Sequence, residues 1–97
     1  MSRGKNISKL EKKIMPVLKK NKVVKAGLFG SYARGENKKG SDIDILVKLK
    51  SGDGYFGLVR LERELQKQLG KKVDLVTYNS LNHLLREKIL REEVRII

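Results

Sequence analysis

The chain has no cysteine, a single proline and only 5% aromatic residues. Without cysteine there is no disulfide framework and no thiolate metal site. No apolar run approaches the roughly 18 residues that a membrane-spanning helix needs. The opening Met1-Ser2-Arg3-Gly4-Lys5-Asn6 lacks the apolar stretch of a signal peptide. These absences point to the cytoplasm and exclude a membrane partner. With 97 residues, 39% of them hydrophobic and 35% charged, the expectation is one small globular domain over 1–97. A core of that size leaves little surface for a separate substrate-gripping arm.

Acid is also scarce, and unevenly so. The net charge is +12, and residues 1–25 carry nine Lys/Arg against the single acid Glu11. Such a block is either a solvated helix face or an attractor of polyanions, nucleic acid among them.

Ser8-Lys9-Leu10-Glu11 reads as a capping box that opens a basic helix over about 7–21, with Ile7, Leu10, Ile14 and Leu18 on one face. Pro16 lies inside it, where proline costs about 3 kcal/mol, so a kink or restart is expected. Val23 to Gly30 reads as a strand, with Val24, Ala26 and Leu28 alternating. A polar loop follows to Gly40, with room for a helical turn at Ser31–Arg34. Asp42 to Leu49 is a second strand, Ser51 to Gly54 a turn, and Leu58, Leu61, Leu65 and Leu69 a helical stripe with Arg60 and Glu64 paired on its polar side. Gly70 stops that helix. Lys72 to Thr77 is a third strand. Asn79 or Ser80 can cap a last helix bearing Leu81, Leu84, Leu85 and Ile89, and Val94 to Ile97 is a short strand or docking tail. The order predicts an α+β domain layered as α/β, a small sheet flanked by helices. Its catalytic core spans about 23–85.

The chemistry sits in the middle. Asp42 and Asp44 are two apart on a strand and share one face, while Ile43, Ile45 and Val47 share the other. Aspartate is disfavoured inside strands, and two together repel. A divalent cation resolves that repulsion, and hard oxygen donors at this spacing suit Mg²⁺. Asp74 lies in another strand between Val73 and Leu75. If the strands are neighbours, three carboxylates converge. Upstream, Gly30 lets backbone amides approach an anion, Ser31 can donate its hydroxyl to a phosphate, and Arg34, one turn on, can reach the same group. A Gly-Ser pair alone is an ordinary turn; its coupling to the aspartates gives it weight.

Gly30-Ser31, ten intervening residues, then Asp42-Ile43-Asp44 with Asp74 in a later strand resembles the signature of the DNA polymerase β-like nucleotidyltransferase superfamily. The string Gly-Ser-Tyr-Ala-Arg-Gly-Glu…Ser-Asp-Ile-Asp-Ile-Leu-Val is similar to the minimal nucleotidyltransferase (MNT) branch, over roughly residues 23–85. The resemblance implies the nucleotidyltransferase fold, with a small mixed β-sheet. It implies Mg²⁺, in a two-metal site, and a nucleoside triphosphate, ATP above others. Asp42 and Asp44 would bind the metals, and Asp74 would complete the second site and help deprotonate the attacking hydroxyl. Gly30 and Ser31 would hold the β- and γ-phosphates with Arg34 assisting. It further implies an antitoxin paired with a HEPN-domain toxin, some members attaching AMP to a toxin tyrosine. Val94, Ile96 and Ile97 are candidates for the partner contact.

Two other functions fit the same residues. One is an antitoxin that covers its toxin without chemistry; the intact Asp42, Asp44 and Asp74 count against it. The other is a nucleic-acid-binding module using the basic N-terminal segment, which the few aromatics weaken. His83 reads as a surface histidine and Asp53 as turn chemistry. Tyr55 and Phe56 read as core anchors, and Tyr32 is open between core and nucleotide contact.

Overall fold

A computed structural model describes residues 5–50 and 54–97. The elements run α1 (Lys5–Lys20), β1 (Val23–Phe29), α2 (Gly30–Arg34), β2 (Ile43–Leu49), α3 (Gly54–Leu69), β3 (Val73–Thr77), a 3₁₀ turn (Tyr78–Ser80), α4 (His83–Glu92) and β4 (Val94–Arg95). The sheet order is β3-β2-β1-β4. β1 pairs antiparallel with both β2 and β4, while β2 and β3 are parallel. The parallel pair needs a long crossover, and α3 supplies it. The sheet is therefore small, mixed and flanked by helices.

The hydrophobic pattern decides which face is covered. Ile43, Ile45 and Val47 are fully buried, and they sit beside Ala26 and Leu28 of β1 on the same side. The amphipathic helices α1 and α3 close that side with Ile14, Leu18, Leu61 and Leu65, all fully buried. Tyr32 of α2 joins this core at 5% exposure, which decides the question that its sequence position leaves open. The two helices are tied by Asn21, whose side-chain amide donates to Val17 O (2.8 Å) and to Glu64 Oε2 (2.7 Å). The amide bond from Asn21, joined by Lys20 Nζ at 3.3 Å, holds the Glu64 carboxyl below its ordinary range.

On the other face, the Glu93 carboxylate accepts from Tyr78 Oη and lies over Gly27, where a Cβ would run into it. Lys25 Nζ stands 4.3 Å from the centre of the Tyr78 ring. Burial, then the bond to Glu93, pushes the Tyr78 hydroxyl well above its ordinary range. β4 and the end of α4 are thus fastened to β1.

Several local expectations change. α1 is already helical at Lys5, so Ser8 lies inside the helix and does not cap it. α1 also runs unbroken through the exposed Pro16; its packing on α3 and the sheet outweighs the lost hydrogen bond. A bulge between Val23 and Lys25 shifts the register of β1. Val23 is consequently buried and Val24 is 50% exposed, against the simple alternation. Asn82, not Asn79 or Ser80, caps α4, accepting from Leu84 N at 2.9 Å. α4 buries no residue, and Leu84 and Leu85 stand exposed at 78% and 54%. Tyr55 and Phe56 are exposed rather than anchored. Ile96 is buried, and Val94 and Ile97 pack against the core, so the C-terminal end completes the domain. The expected turn residues Ser51 to Asp53 lie outside the described residues. Among the described residues no helix is long and apolar enough to cross a membrane.

Candidate active site

The sheet brings the sequence-predicted residues to one end. β1 ends at Phe29, which pairs with Asp44, and the chain turns at once into α2. Asp44 in turn pairs with Asp74 across the parallel β2–β3 ladder. Because Ile43 and Ile45 face the core, Asp44 faces the opposite side, and Asp74, its register partner, faces with it. Asp44 is half-buried, while Asp74 and Asp42 are exposed. Asp42 precedes β2 directly, behind a turn closed twice: Lys38 N donates to Ser41 Oγ (2.8 Å), and Ser41 N donates to Lys38 O (2.9 Å).

Gly30 is required here on two counts. Its φ is +72°, in the left-handed region. A Cβ at Gly30 would also collide with the Asp44 carboxylate. The Gly30 backbone thus lies against Asp44. Ser31 follows half-buried. α2 closes with Gly35 at φ +73° and with Glu36 N donating to Ser31 O at 2.8 Å.

The electrostatics are those of crowded anions. Burial raises the Asp44 pKa above the ordinary carboxylate value, the charges of Asp74 and Asp42 raise it further, and Arg34 opposes them. Arg34 is held by Glu36 (Nε to Oε1, 2.9 Å) and by Glu92 of α4 (Nη1 to Oε2, 3.3 Å). Those carboxylates, Glu36 first through its hydrogen bond, raise the Arg34 pKa. Glu92 is 58 residues away in sequence, and no local pattern marks it as an Arg34 partner.

The donor set fits a divalent cation in a particular way. Among the described residues no three His, Cys, Asp or Glu side chains stand close enough to form a ready-made metal cage. Asp42, Asp44 and Asp74 are instead coupled through charge. Mg²⁺ commonly takes one or two carboxylates and fills its shell with substrate phosphates and water, so this looser arrangement suits it. A separate cavity of about 630 Å³, lined among others by Val24, Leu49, Leu58 and Tyr78, lies at the far end of β2 and β3 from the carboxylates. It shares no residue with them.

Fold and site together define a nucleotidyl-transfer scaffold. The polymerase beta nucleotidyltransferase family matches residues 12–97, and the chain belongs to that family. It is 50% identical over 92 residues to a Methanocaldococcus jannaschii protein named "Putative protein adenylyltransferase", covering 95% of this chain and 99% of that one. It superposes with a TM-score of 0.78 and 30% identity on a chain of a toxin–antitoxin crystal structure with AMP-PNP, covering 90% and 72% of the two chains. A structure of a tri-AMPylated Shewanella oneidensis HEPN toxin in complex with MNT antitoxin matches with a TM-score of 0.71 and 27% identity, covering 93% and 71%. The chain is a nucleotidyltransferase.

Proposed function

We propose that the chain transfers AMP from ATP to a tyrosine hydroxyl of a HEPN-domain toxin in the cytoplasm and so acts as its antitoxin. The observation that carries this reading is the pairing of Asp44 with Asp74 on parallel strands, with the Gly30 turn pressed against Asp44. Asp42 and Asp44 would hold Mg²⁺, and Asp74 would complete a second metal position. Gly30 and Ser31 hold the β- and γ-phosphates, and Arg34 reaches them by exchanging Glu36 for phosphate, one charge-assisted bond for another. Bound Mg²⁺ supplies positive charge to the triphosphate and the departing pyrophosphate. The acceptor oxygen bonds to the α-phosphorus as the bond to the β-phosphate oxygen breaks, pyrophosphate leaves, and the hydroxyl proton passes to Asp74.

Exposed apolar surface beside the site supports a protein acceptor. The acceptor is presented by a second chain. α4 lies against α2 and β1, beside the carboxylate face, and offers Leu84 and Leu85 to that chain.

Intact-mass spectrometry of the HEPN partner, incubated with the chain, ATP and Mg²⁺, checks the reading. The partner gains one or more AMP units, mapped to tyrosine, and gains none with the Asp42→Asn/Asp44→Asn variant. A complex that forms and silences the toxin without any mass gain would move the assignment to a purely steric antitoxin.

A further inference from the structure

At the carboxylate end of the sheet, on the helix-covered side, lies a cavity of about 310 Å³. Lys9 and Lys13 of α1, Lys38 and Lys39 of the loop before β2, and Lys71 before β3 line it, with Tyr32 among the lining residues. Among the described residues no carboxylate lines it. Five ammonium groups around one concavity repel one another, and nothing in the lining neutralises them. Lys38 and Lys39 sit on the doubly closed turn ending at Ser41, so part of this charge is positioned rather than free to spread.

We infer that this cavity is a binding site for the phosphate backbone of single-stranded nucleic acid, separate from the nucleotide site. Three features select that ligand. The volume corresponds to on the order of ten waters, more than one phosphate fills. Tyr32 is only 5% exposed, so the cavity offers little ring for stacking and must read charge, without sequence preference. The positive surface also continues beyond the cavity along α1, where Lys12 and Lys19 are exposed; an extended polyanion can follow it and a compact one cannot. The site lies on the far side of the sheet from Asp44 and Asp74, because Leu10 and Tyr32, which help line it, belong to the core on the Ile43–Ile45 side. It therefore does not depend on the transfer reaction.

Fluorescence anisotropy of a labelled single-stranded oligouridylate, titrated with the full chain over a range of KCl concentrations, tests this. Each phosphate contact on a single strand contributes about 0.7 to the slope of log K against log salt. The Lys38→Gln/Lys39→Gln/Lys71→Gln variant should lose about 2 from that slope, and Lys9→Gln/Lys13→Gln about 1.4. The control Lys48→Gln/Lys50→Gln/Lys67→Gln removes the same charge as the first variant from outside the cavity and should keep the wild-type slope. Asp44→Asn should bind as wild type does. Equal losses in the control and the cavity variants would overturn the proposal, leaving only diffuse charge. So would tripolyphosphate binding that needs the cavity lysines while oligouridylate binding does not.

Discussion

Asp44→Asn should lower nucleotidyl transfer by about a thousandfold, near 4 kcal/mol in the barrier, while making the free protein more stable. The two effects have one cause. Asp44 is half-buried beside two other carboxylates, and its pKa is raised by burial and by Asp74 and Asp42. A folded pKa above the unfolded one means that the charged form burdens the folded state. That burden is full at neutral pH and is released as pH falls through the raised carboxylate range. The amide carries no such burden. The variant should thus melt higher than wild type at pH 7, and the gap should close in acid. Calorimetry across pH measures this. A variant that is both inactive and less stable at pH 7 would mean that the Asp44 charge serves the fold rather than the site.

Gly30→Ala should be damaging for two separable reasons. A non-glycine residue at φ +72° costs about 1–2 kcal/mol, and the new methyl must displace the Asp44 carboxylate, adding about 1–3 kcal/mol of overpacking. Gly35→Ala isolates the first component, since Gly35 has φ +73° and nothing near its missing Cβ. Denaturant unfolding should therefore rank Gly30→Ala below Gly35→Ala. Adding Asp44→Ala to Gly30→Ala should recover the difference, because the obstructing carboxylate is gone. Transfer by Gly30→Ala should fall about a hundredfold, as expected when a positioned group is moved by about 1 Å. Equal destabilisation by the two alanines would mean that Asp44 yields freely and that the turn is not fitted to it.

The parts of this molecule readable from sequence are those where periodicity and chemistry agree. Asp44 stands between Ile43 and Ile45 in β2, so its face follows from the pleat alone, while Asp42, expected inside the strand, lies just before it. The Leu58–Leu69 stripe likewise fixed the buried side of α3, with Leu61 and Leu65 fully inside. What escaped depends on contacts distant in sequence. The bulge that exposes Val24 arises from β1–β2 register. Glu92 reaches Arg34 only once α4 packs against α2. Leu84 and Leu85 look like a core stripe, yet the face of β1 that they might have covered is occupied by Glu93 and Tyr78. Val94 to Ile97 reads equally as a short strand or a docking tail, and only the pairing of β4 and of the Ile96 backbone with β1, with Ile96 buried, decides for the strand. The lysine cavity was half visible as an acid-poor N-terminal block, but Lys38, Lys39 and Lys71 join it only through the fold.

The central claim is that this chain transfers the α-phosphoryl nucleotide and releases pyrophosphate. The most direct test supplies the chain and the proposed HEPN partner with Mg²⁺ and ATP labelled either at the α- or at the γ-phosphate. The account predicts that α-label becomes covalently attached to the partner, that γ-label appears only in pyrophosphate, and that Asp42→Asn/Asp44→Asn transfers neither. Covalent γ-label on the partner, or α-label transfer undiminished in the variant, would contradict it.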